Sequence, residues 1–137
     1  MKYIAYGSNM VRRQMAFRCP DARLVGTGHL DFARLEFYLH ATVERTAQES
    51  DRVPVVVWEI SDRDECSLDY YEGYPRYYIK EEWPVRMDDG SEMQGMIYLM
   101  ADIHGKIHFR AGEGLRRIFI AEVCAGLIGF GQLANQL

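Results

Sequence analysis

Apolar residues alternate or run together over most of this chain, and the spacing changes character at only a few places. "KYIAY" (2–6) is short and rich in aromatic and β-branched residues, which predicts a strand. Three turn-formers follow, Gly7, Ser8 and Asn9. Then "MVRRQMAFR" (10–18) carries apolar residues at Met10, Val11, Met15 and Phe17, a short helix stopped by Pro20. "ARLVGTGHL" (22–30) and "ARLEFYLH" (33–40) read as strands parted by a turn near Asp31. "ATVERTA" (41–47) is a weaker strand before the loop "QESD" (48–51). "VPVVVWEI" (53–60) is an almost unbroken apolar run, as expected of a central strand, with Pro54 near its start where a missing N–H does least harm. "DRDECSLDYYEG" (62–73) predicts a helix with Asp62 as N-cap, Glu65 three residues on, Gly73 just past its end and Pro75 beyond. "RYYIKEEWPVRM" and "EMQGMIYLM" flank "DDGS", a hairpin turn signal. From about Gly112 apolar residues recur at helical spacing, a closing helix that ends around Gly129 or Gly131. Many strands, few helices and no repeat or linker predict an α+β fold. One domain over 1–137 on a mostly antiparallel, barrel-like sheet is the expectation.

Length and charge narrow the classes of function. At 137 residues the chain is long enough to bury a sizeable core. A net charge of -4 gives no support to a nucleic-acid partner. Arg12, Arg13, Arg18 and Arg23 lie close in sequence but fit a solvated helix face better than a binding patch. The three cysteines, Cys19, Cys66 and Cys124, are odd in number and widely spaced with no CxxC, so neither a disulfide framework nor a zinc site is expected. The four histidines, His29, His40, His104 and His108, form no ligand motif. The N-terminus lacks an apolar h-region and no apolar run is long enough to span a bilayer. A cytoplasmic setting with no membrane partner is the expectation.

Two stretches combine residues in a way that suits chemistry. A strand that passes through Gly7, Ser8 and Asn9 into a helix leaves main-chain N–H groups unpaired, a ready seat for a carboxylate or phosphate. Such turns are common, and Ser8 or Asn9 capping the helix explains this one equally simply. The second stretch is "LDYYEGYP" (68–75). Glu72 falls in the last turn of its helix, where a negative charge is unfavourable, among Tyr70, Tyr71, Tyr74, Tyr77 and Tyr78. A carboxyl group there should titrate high, which suits a general acid/base near neutral pH. The plain alternative is an exposed Glu72 paired with Arg76 or Lys80.

Together the two stretches resemble the γ-glutamylcyclotransferase-like family, which includes plant AIG2-like proteins and the bacterial enzyme that trims a γ-glutamyl group from butirosin. The likeness runs through "YGSNM" (6–10), "RCP" (18–20), "VVVWEI" (55–60), "LDYYEGYPRYY" (68–78), "IYLM" (97–100) and the final "IAEVCAGLIGFG", in that order. The chain departs from the family at Val55 and Val56, where a Gly is frequent, and in "ADIHGKIHFRAGEG", which lacks a common Pro-Ser entry. The resemblance implies a small β-barrel with flanking helices. It implies that Tyr6, Gly7, Ser8 and Asn9 hold the α-carboxylate of a γ-glutamyl group. It makes Glu72 the catalytic glutamate, and Tyr98 and Tyr78 lining residues.

The reaction so implied needs no metal or cofactor. The substrate's own α-amine attacks its side-chain carbonyl, closing 5-oxoproline and releasing the amine partner. The small γ-glutamyl compound is then the only partner expected; oligomeric state and the identity of the amine stay open. A non-catalytic module that binds a small amino-acid-like ligand, with Glu72 as an ammonium partner, is the alternative, and a protein that merely keeps the fold is a third.

Overall fold

The computed structural model describes residues 1–38 and 40–101. Seven strands and two helices follow in the order β1 (Lys2–Ala5), α1 (Arg12–Arg18), β2 (Arg23–Asp31), β3 (Ala33–Phe37), β4 (Ala41–Arg45), β5 (Arg52–Glu59), α2 (Asp62–Glu72), β6 (Tyr78–Met87) and β7 (Glu92–Met100). The predicted C-terminal helix lies outside the described residues, with Cys124, His104 and His108.

Five strands close a barrel in the order β1-β5-β2-β6-β7, and β3 pairs with β4 as a separate hairpin. The barrel pairs are antiparallel except β1 with β7, which run parallel at Tyr3↔Met96 and Ile4↔Ile97. β5 sits between β1 and β2, as its apolar run requires, with Pro54 opposite His29. Alternation along β1 and β5 splits the core in two. Ile4, Val55, Val57, Val85 and Ile97 pack in one cluster, while Tyr3, Val56, Trp58, Met96 and Tyr98 pack in the other with Met15 of α1 and Leu68 of α2. That second cluster joins the helices to the barrel and supports the candidate site residues.

The sequence pattern is adjusted at several joints. The stretch 10–18 is not one helix: Ser8–Met10 form a 3₁₀ turn, and α1 starts at Arg12. Phe17, expected on the apolar face, is 80% exposed, because a helix this short buries only Met15 and Phe17 points away from it. The turn after β2 sits at Phe32, at φ 51. The N-cap of α2 is Ser61, one residue before Asp62: the Ser61 hydroxyl accepts from Asp64 N and the Asp64 carboxylate accepts from Ser61 N, a reciprocal capping box. Helix α2 ends as expected, with Gly73 left-handed at φ 65 and the Tyr74 N–H donating to Asp69 O at 2.9 Å. Beyond it the Tyr74–Pro75 peptide is cis, and the chain turns directly into β6.

Candidate functional site

β1, the turn after it, the end of α2 and the strands β6 and β7 meet at one end of the barrel. They enclose a cleft of about 200 Å³. Tyr6, Gly7, Ser8, Asn9, Glu72, Tyr78 and Tyr98 all line it, so the structure brings together every residue singled out from the sequence. Tyr3, His40 and Ala41 line it too.

The turn does not cap a helix. Neither Ser8 nor Asn9 makes a side-chain cap, and the turn is held by Met10 N donating to Gly7 O at 2.9 Å and Val11 N to Ser8 O at 3.1 Å. Among the described residues no acceptor meets the main-chain N–H of Gly7, Ser8 or Asn9. Gly7, Ser8 and Asn9 thus line the cleft with main-chain donors unpaired among the described residues.

Asn9 is buried at the centre of the polar contacts. Its amide nitrogen donates to Tyr3 Oη at 2.9 Å and to Glu72 Oε1 at 3.1 Å. Its amide oxygen accepts from Arg18 Nη1 at 2.6 Å, and its main-chain oxygen accepts from Trp58 Nε1 at 3.0 Å. Arg18 also reaches Ser8 Oγ at 3.2 Å and lies over the Tyr71 ring at 4.7 Å. The solvated reading of the arginine cluster therefore fails at Arg18, which is half-buried and committed to the turn, while Arg12, Arg13 and Arg23 are exposed.

Glu72 is half-buried and its known partner is Asn9, not Arg76 or Lys80. Lys80 instead meets Glu65 at 2.6 Å and Asp69 at 2.7 Å. Burial raises the Glu72 pKa above the ordinary carboxylate value, against the opposing effects of the Arg18 charge and the Asn9 hydrogen bond.

Three of the four phenols in the cleft hand their protons to fixed acceptors. Tyr6 donates to Tyr98 O at 2.6 Å, Tyr78 to Ala41 O at 2.7 Å, and Tyr98 to Asp69 Oδ1 at 2.6 Å. Tyr78 thereby ties the β3–β4 hairpin to the cleft and brings His40 to its edge. Tyr98 offers its ring, not its hydroxyl, and stands edge-on to Tyr3 with centroids 5.9 Å apart. Burial holds the Tyr6, Tyr78 and Tyr98 phenols well above their usual range, so all three stay protonated.

Among the described residues no group of three His, Cys, Asp or Glu is placed to hold a metal ion, and no helix is long and apolar enough to cross a membrane. Cys19 and Cys66 are free thiols; Cys19 is buried, with its pKa pushed up to about 12 by burial and the nearby Asp64 charge.

A closed five-stranded barrel with a cleft between its first turn and an interstrand helix defines a small α+β barrel fold. The chain belongs to the family described as "Gamma-glutamyl cyclotransferase, AIG2-like", whose sequence profile matches residues 3–116. It is similar in structure to a "Gamma-glutamyl cyclotransferase", at 23% identity and a TM-score of 0.76 over 99% of this chain and 83% of the other. It is similar also to an uncharacterised protein from Homo sapiens, at 24% identity and a TM-score of 0.76 over 96% of this chain and 80% of that one. An AIG2-like protein from Mus musculus matches at 16% identity and a TM-score of 0.59 over 80% of this chain and 83% of its own. These likenesses establish the fold. No curated protein matches the sequence.

Proposed function

We propose that this protein is a γ-glutamyl cyclotransferase that converts a small γ-glutamyl amine or peptide into 5-oxoproline and the free amine. Family and fold support a cyclotransferase-like function. One observation supports the specific reading: Glu72, a carboxyl group with a raised pKa, lines the same small cleft as Gly7, Ser8 and Asn9, whose main-chain N–H groups are unpaired among the described residues.

In this reading the N–H groups of Gly7, Ser8 and Asn9 hold the α-carboxylate, which fixes one end of the substrate. Tyr6, Tyr78 and Tyr98 wall the chain into a folded shape, with amine and side-chain carbonyl in near-attack contact. Glu72 takes a proton from the α-ammonium. The amine nitrogen then attacks the γ-carbonyl carbon. As the ring closes, Glu72 passes that proton to the departing nitrogen and the bond to it breaks; the second proton shed by the ring nitrogen follows the same route, so the lactam keeps one N–H and the amine leaves as an ammonium. The raised pKa keeps the same carboxyl group useful in both directions.

The test is incubation of the purified protein with a panel of γ-glutamyl amino acids and amines, read by mass spectrometry. The wild type is expected to release 5-oxoproline, and Glu72→Gln to keep its fold and lose activity by about 100-fold or more. Free glutamate in place of 5-oxoproline, or normal turnover by Glu72→Gln, would overturn the assignment.

A second reading has one observation behind it. Asn9 and Arg18 both favour the charged form of Glu72, as a fixed ammonium partner would need. A non-catalytic binding protein would show a thermal shift with panel members and release no product.

A further inference from the structure

Tyr3 drew no notice in the sequence, where it is one more aromatic on a strand. In the cleft it differs from the other three phenols. Tyr6, Tyr78 and Tyr98 each donate to a fixed oxygen. Tyr3 Oη accepts from Asn9 Nδ2, and among the described residues its own proton goes to no group.

The direction of that bond is set from outside the cleft. A guanidinium has only donors. Because Arg18 Nη1 lies 2.6 Å from Asn9 Oδ1, the amide oxygen must face Arg18, and the amide nitrogen must face Tyr3 and Glu72. Tyr3 Oη therefore accepts on its Asn9 side, and its hydrogen has to turn to the other side. The ring itself is held edge-on to Tyr98, whose hydroxyl is fixed on Asp69, which in turn is paired with Lys80.

Tyr3 and Glu72 take the hydrogens of one amide group, at 2.9 and 3.1 Å from Asn9 Nδ2, and both line the same cleft. If Glu72 moves protons at the attacking and departing nitrogens, the carbonyl bonded between those nitrogens lies beside Tyr3. We propose that Tyr3 donates a hydrogen bond to the substrate's γ-carbonyl oxygen as negative charge develops on it, and that Arg18, acting through Asn9, is the positioning residue that turns the Tyr3 hydroxyl to this task. The proposal rests on the cyclotransferase reading. Burial and the Glu72 charge keep the Tyr3 phenol protonated far above neutral pH, so it serves as a neutral donor and not as a base. A preorganised donor in a water-poor cleft acts mainly on the transition state.

Two measurements test it on the whole protein. With the γ-glutamyl panel, Tyr3→Phe is expected to lower kcat about 100-fold while KM changes by less than about threefold. With 5-oxoproline carrying ¹³C at the lactam carbonyl, the infrared carbonyl band of the bound product should lie at lower frequency on the wild type than on Tyr3→Phe. Arg18→Met should move that band part of the way, and Arg18→Lys, which can still only donate to Asn9 Oδ1, should restore it. A purely structural Tyr3 would leave the band in place. If the wild type makes 5-oxoproline and Tyr3→Phe matches its kcat, or the band is the same on both, the cyclotransferase reading stands and the role of Tyr3 falls. If the band is unmoved in Arg18→Met, the positioning role of Arg18 falls. If the wild type makes no 5-oxoproline from any member of the panel, both readings fall together.

Discussion

Glu72 is asked to be half-buried beside an aromatic cleft, and burial raises its pKa. For an acid the sign is definite. A carboxyl whose folded pKa exceeds its unfolded value, about 4.3, favours folding fully below that value, and this contribution is lost as pH rises through the folded pKa. At neutral pH the ionised Glu72 is thus a cost to stability. Glu72→Gln should unfold at a higher temperature than the wild type at pH 7, and the gap should close as the pH falls toward 4; calorimetry across that range checks it. A lower Tm for the variant at pH 7 would mean that Asn9 and Arg18 outweigh burial. Glu72 was legible in the sequence because an acid at a helix C-terminus breaks a local rule, while the turn at 6–9, a common feature by itself, was legible through the family resemblance. Tyr3 was not, since an aromatic on a strand is packed somewhere in almost any fold. Arg18 was hidden by its company, as only the crossing of α1 over the first turn separates it from Arg12, Arg13 and Arg23. His40 reaches the cleft through the hairpin, a long-range fact with no local signature.

At the scale of elements, helix α2 has to stop at the right residue for Glu72 to face the cleft. Ser61 and Asp64 fix where it begins, and Gly73 where it ends. An L side chain in the left-handed region costs about 1–2 kcal/mol. A methyl group at Gly73 would also come within 2.6 Å of Tyr77 Cδ2, although that half-exposed ring can yield. Gly73→Ala is expected to cost about 1–2 kcal/mol in urea unfolding and to lower activity, because the Glu72 carboxylate rides on the same turn. The strands were legible almost throughout, through β-branched runs and turn residues. The splitting of 10–18 into a 3₁₀ turn and a short helix was not, because Asn9 and Met10 are drawn inward by Trp58, Tyr3 and the core, contacts that no periodicity encodes.

At the scale of the whole molecule, the barrel is closed by short seams. β2 meets β6 at only Gly28↔Met87 and His29↔Arg86. A Cβ on Gly28 would stand 2.4 Å from Arg86 O and 3.0 Å from Met87 Cα, both main-chain atoms that cannot step aside without parting the strands. Gly28→Ala should therefore cost about 3 kcal/mol, roughly 10 °C in Tm, and a thermal melt within a degree or two of wild type would show that the seam is plastic. A barrel-like sheet was legible from the number of strands. The β-barrel itself came with the family resemblance, but the parallel contact of β1 with β7 that closes it was not legible, because it joins residues near opposite ends of the described chain.

That contact also sets an order of events. Among the described residues β1 pairs only with β5 and β7, which lie some fifty and ninety residues further on. The turn at 7–9 is made before either of these, yet β1 has no strand to lean on until β5 exists and the cleft lacks its last wall until Tyr98 does. A partly made chain holds the turn without a cleft, so the proposed chemistry has to wait for the barrel strands, and such distant pairings are slow to form.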